Sequence, residues 1–147
     1  MLHKTLAAVA TGIVLATGAF AQSATEVPTP LVAIENEPAP SLIVGTPLPE
    51  PLARGVALVP YRVENFRILP VLGAAALDVS PRVGHLHVTL DDLPWHWGDF
   101  GNSNTIVVAG LPTGEHKLLI ELADPTHRIL TAQSVTFTVP GTVPHAH

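Results

Sequence analysis

Prolines close almost every apolar run in this chain of 147 residues. Beyond Pro51 they stand at positions 60, 70, 81, 94, 112, 125, 140 and 144, and each one fixes φ and removes a backbone donor. No window between them reads as a helix. The runs they bound, 56–59, 63–69, 77–79, 83–90, 105–109, 116–122 and 134–139, are rich in Val, Ile, Leu or Thr. Glycine, asparagine and aspartate collect in the breaks, as at 98–104, Gly110-Leu111-Pro112 and Asp124-Pro125. About seven short strands at this spacing predict an all-β fold, a β-sandwich spanning residues 55–140.

The flanking segments differ in composition. Residues 1–21 carry Lys4 and then an uncharged apolar run ending in Ala19-Phe20-Ala21, the pattern of a secretory signal peptide cleaved before Gln22. The run is too short and too interrupted for a membrane span, so no transmembrane segment is expected after cleavage, and the mature chain is expected in the periplasm or secreted. Residues 22–54 hold seven prolines and four glutamates with no basic residue before Arg54, which reads as an acidic, semi-rigid linker. Within it, Ser41-Leu42-Ile43-Val44 is apolar enough to pair as an edge strand. Residues 141–147 read as a flexible tail containing His145 and His147.

Composition narrows the chemistry. With no cysteine, disulfides, thiolate metal sites and cysteine nucleophiles are excluded. The formal charge of −5, with seven basic residues scattered singly, offers no patch for nucleic acid. No Gly-x-Ser-x-Gly, His-Glu-x-x-His or phosphate-cradling glycine loop is present, so the chain is read as a binding protein, not an enzyme.

The segment Gly84-His85-Leu86-His87-Val88-Thr89-Leu90-Asp91 alternates with period two. Leu86, Val88 and Leu90 share one face of a strand, and His85, His87, Thr89 and Asp91 the other. Imidazoles two residues apart can converge on one ion, with Asp91, His96 or a histidine from a neighbouring strand as third ligand; copper or zinc would suit such donors. The competing reading is a pair of histidines on a solvated sheet face.

Downstream, Pro94-Trp95-His96-Trp97 concentrates both tryptophans of the chain. Trp95 and Trp97 either plug the end of the sandwich or form an exposed platform for a protein or small ligand, which would make the chain an interaction or adhesion module. His127, after Asp124-Pro125-Thr126 in an expected hairpin loop, has a weaker claim to a role.

Leu111-Pro112-Thr113-Gly114-Glu115-His116 resembles the turn into the sixth strand of immunoglobulin-like and fibronectin-type domains. His116 stands where those domains place a tyrosine, which implies a ring bonded back to the corner backbone. Gly84-His85-Leu86-His87 is similar to the copper strand of copper–zinc superoxide dismutase, but the match covers about five residues and the disulfide and zinc loop of that family are missing. Glu64-Asn65-Phe66-Arg67, Ser80 to Val88, Pro94 to Trp97 and Gly110 to His116 together resemble a family of small exported bacterial domains of unknown function. A second such family shares a looser pattern, here Gly84 to His87, Leu111 to His116 and His127.

Overall fold

The computed structural model describes residues 32–141. The leader expected at 1–21 and nearly all of the expected tail lie outside the described residues. Ten strands are found among them: Val32–Ala33 (β1), Ser41–Val44 (β2), Val56–Glu64 (β3), Arg67–Ile68 (β4), Val79–Ser80 (β5), Val83–Leu90 (β6), Trp97–Asp99 (β7), Thr105–Ala109 (β8), Gly114–Ala123 (β9) and Ile129–Val139 (β10). Among the described residues, helix is confined to one turn at Pro49–Leu52 and a 3-10 turn at Ala74–Ala76. No helix among the described residues is long and apolar enough to cross a membrane.

The strands form a β-sandwich. One sheet has the order β10-β9-β6-β4, with β7 also pairing β6; the other has the order β2-β3-β8; β1 and β5 make a separate short pair. Alternation along β9 sends Leu118, Ile120 and Leu122 inward, and along β3 it sends Ala57, Val59 and Tyr61 to meet them. Leu86 and Val88 of β6 complete this core, fully buried. Each large aliphatic side chain withdrawn from water there contributes about 1.5–3 kcal/mol.

Two details depart from the strand boundaries read in the sequence. Pro60 does not break its strand. The β8 ladder covers Val56 to Pro60 and the β2 ladder covers Tyr61 to Glu64, so the missing N–H falls at the changeover between partners. The expected strand over 63–69 is instead cut at Asn65, whose φ of 54° turns the chain from one sheet to the other. Phe66 then enters the core and β4 pairs parallel to β6. Within the stretch read as a linker, β2 pairs with β3 and buries Leu42.

Candidate metal centre

Strand β6 lies between β9 on one side and the short strands β4 and β7 on the other. Leu86 and Val88 point into the sandwich, so His85 and His87 stand on the outer face of the five-stranded sheet. That face is not solvated here: His85 is 0% and His87 5% exposed. Their cover comes from two segments. The register pairs His85 with Ala123, so the β9–β10 hairpin that begins at Asp124 rises directly beside it. From the other edge, Phe100 stacks on the His85 ring at 4.5 Å and His96 on the His87 ring at 4.2 Å. Gly98 permits the first of these stacks, because a Cβ there would lie 2.7 Å from the Phe100 ring.

The hairpin is built by a single buried carboxylate. Asp124 Oδ1 accepts hydrogen bonds from the backbone of Thr126 and Arg128 and from the Thr126 hydroxyl, and Oδ2 accepts one from Arg128 Nε. Burial alone would raise the Asp124 pKa; these donors outweigh it and hold the pKa at about 2. The tight loop leaves His127 in the left-handed region at φ 67°, with its ring turned towards β6.

Three ring nitrogens converge as a result. His85 Nε2 lies 3.0 Å from His87 Nε2 and 3.0 Å from His127 Nδ1, and the latter two are 3.1 Å apart. A neutral imidazole carries one N–H. A proton on any one of the three nitrogens still leaves the other two lone pairs facing each other, so N–H···N bonds cannot satisfy the triangle. A cation above its centre can: bonds of about 2.0–2.1 Å reach all three atoms from a point roughly 1 Å out of their plane. These residues are the group of potential ligands found among the described residues, and the three can hold a metal ion.

The electrostatics favour the neutral form of the two β6 histidines. Burial, then the neighbouring charges of His87 and His127, lowers the His85 pKa to about 4, and burial with His96 and His127 lowers that of His87. With Nε2 of His85 presenting its lone pair, the ring proton sits on Nδ1, which is buried without a hydrogen-bond partner. A pH dependence follows for the metal-free protein. Between about pH 6.5 and pH 4 the unfolded chain takes up a proton at His85 that the folded chain refuses, so stability is full above that window and falls as pH falls through it. Urea unfolding with a chelator present should show a loss of about 3 kcal/mol from this group. A flat profile across the window would contradict a neutral, buried His85.

The other residues singled out in the sequence are distributed as follows. Asp91 does not join the cluster. β6 ends at Leu90, and Asp91 and Asp92 adopt φ near 50°, so the alternation that placed Asp91 beside His87 stops there. Its carboxylate instead accepts the backbone N–H of Lys117 and lies 2.7 Å from His116 Nδ1. The other ring nitrogen of His116 lies 2.9 Å from the Pro112 carbonyl, the corner bond its turn position implied. Those two acceptors, the Pro112 carbonyl first, raise the His116 pKa. His96 flanks the site by stacking, without contributing a nitrogen to the triangle. The tryptophans divide between the two fates considered for them: Trp97 packs against the core, while Trp95 is 56% exposed.

The whole chain, residues 1–147, matches the model of a protein family described as a family of unknown function, DUF6130. The chain belongs to this family. No curated protein and no solved structure matches it. Membership of the DUF6130 family assigns no chemistry, so the reading of the site rests on its geometry.

Proposed function

We propose that this protein is an exported metal-binding domain that holds one divalent ion, copper(II) or zinc(II), through Nε2 of His85, Nε2 of His87 and Nδ1 of His127. The observation that carries the proposal is the triangle of ring nitrogens with edges of 3.0 to 3.1 Å. The donor set supports a borderline ion. Imidazole suits zinc(II) and copper(II), whereas the thiolate and thioether ligands that select copper(I) are missing, since the chain has no cysteine and its one methionine is Met1. Export is supported by the signal-peptide pattern of residues 1–21. Binding, not catalysis, is the role proposed.

Calorimetry tests this. Zinc(II) and copper(II) titrated into untagged chain beginning at Gln22, with His145 and His147 changed to alanine to silence the tail, should bind one to one. His127→Ala should weaken that binding by at least about 10-fold to 100-fold, the range seen when even an outer support of a ligand is lost. Equal affinity in the variant would refute the three-histidine site.

A second reading rests on Trp95. Its exposed indole beside Leu93, which is 38% exposed, offers an apolar contact for a protein partner or small ligand. Trp95→Ala would then cost partner binding while leaving thermal unfolding unchanged.

A further inference from the structure

A separate cavity of about 440 Å³ opens at one end of the sandwich, within the range of about 300–1,000 Å³ typical of small-molecule sites. Its floor is apolar, formed by the buried Phe66 and Val83 together with Leu77 and Leu130. Residues Ala76 to Asp78 and the β9–β10 hairpin both contribute to its wall, and just before the 3-10 turn the Gly73 N–H donates to the Pro125 carbonyl at 2.8 Å.

The charges around it are unequally committed. Arg82 is engaged with Glu37 and with the carbonyls of Glu37 and Pro38. Asp124 is saturated by the hairpin. Two groups keep capacity to spare. Asp78 makes no side-chain hydrogen bond or ion pair among the described residues, and Arg128 commits only Nε to Asp124, leaving its Nη donors unused there. One anion and one cation thus border an apolar floor, which matches a ligand that carries one charge of each sign on an apolar body.

We infer that this cavity binds a small zwitterion with an apolar body, a hydrophobic amino acid or dipeptide, its ammonium on Asp78 and its carboxylate on the Arg128 guanidinium. The inference is independent of the metal reading and is tested on metal-free protein. Leucyl-phenylalanine is titrated into the labelled chain and followed by two-dimensional amide NMR. Shifts should centre on Leu77, Asp78, Val83 and Arg128. Blocking the dipeptide's amino group by acetylation should weaken binding by about twofold to fivefold, and Asp78→Asn should do the same, because each removes one partner of an ion pair at an exposed carboxylate. Asp78 is exposed and has no side-chain partner among the described residues, so the variant should unfold at the wild-type temperature. Three results would overturn the inference: no shift at about 10 mM dipeptide, shifts centred on Trp95 instead of the cavity, or equal affinity for the free and acetylated dipeptides.

Discussion

His85→Ala/His87→Ala should bind zinc(II) and copper(II) at least about a hundredfold more weakly than the wild-type chain, because it deletes two of the three converging donors. The loss should also appear as stability. An ion present at about 100 times its dissociation constant stabilises the folded chain by roughly 2.7 kcal/mol, and the variant should forfeit that increment while the metal-free proteins are compared separately. The separation matters because both rings are buried, so their removal changes packing as well as ligation. Removal of a merely packed pair would leave the metal-dependent increment intact. A zinc-induced rise in unfolding temperature that survives in the variant would place the bound ion elsewhere.

Gly84→Ala should be the most damaging single methyl group that can be added near the site. A Cβ at position 84 would lie 2.1 Å from the Ala123 carbonyl oxygen and 2.7 Å from the end of the Phe66 ring. The first contact is with backbone, and no rotamer relieves it. β6 and β9 would have to part at the end of their ladder, where His85 faces Ala123. Ordinary overpacking costs about 1–3 kcal/mol, and this backbone clash should reach or exceed the upper end. A domain of this size has only about 5–15 kcal/mol to lose. Urea unfolding measures the effect. Gly98→Ala is the contrast: its Cβ meets only the Phe100 ring, which can swing away, so that variant should lose the stack on His85 with a smaller change in stability. Equal unfolding free energies for Gly84→Ala and wild type would show that the two strands are not held as described.

Much of the fold was legible because period-two alternation and proline punctuation are local signals. The inward face of β9 and the His-x-His face of β6 both follow from alternation alone. Strand changes between sheets are not local. Nothing in the sequence around Pro60 states that one partner strand ends where another begins, and the left-handed turn at Asn65 is one conformation among several open to asparagine.

The site was legible by two of its three nitrogens. Asp91 looked equivalent to His87 by counting, yet counting fails once the strand ends and φ turns positive. His127 lies 40 residues beyond His87, and only the pairing of β6 with β9 brings it near. Two signals pointed to it: an Asp-Pro-Thr turn leading into His127, and its place in the looser family pattern beside Gly84 to His87. The solvated face that would have made the histidines unremarkable was excluded only by what covers them, Phe100, His96 and the hairpin, and cover is a tertiary property.

Diffraction from zinc-soaked crystals of the chain beginning at Gln22, collected on both sides of the zinc absorption edge, would locate the ion itself. A three-histidine site gives one anomalous peak about 2.0–2.1 Å from Nε2 of His85, Nε2 of His87 and Nδ1 of His127. A fully occupied peak elsewhere, at His116 and Asp91 for example, with none between the three histidines, would contradict it.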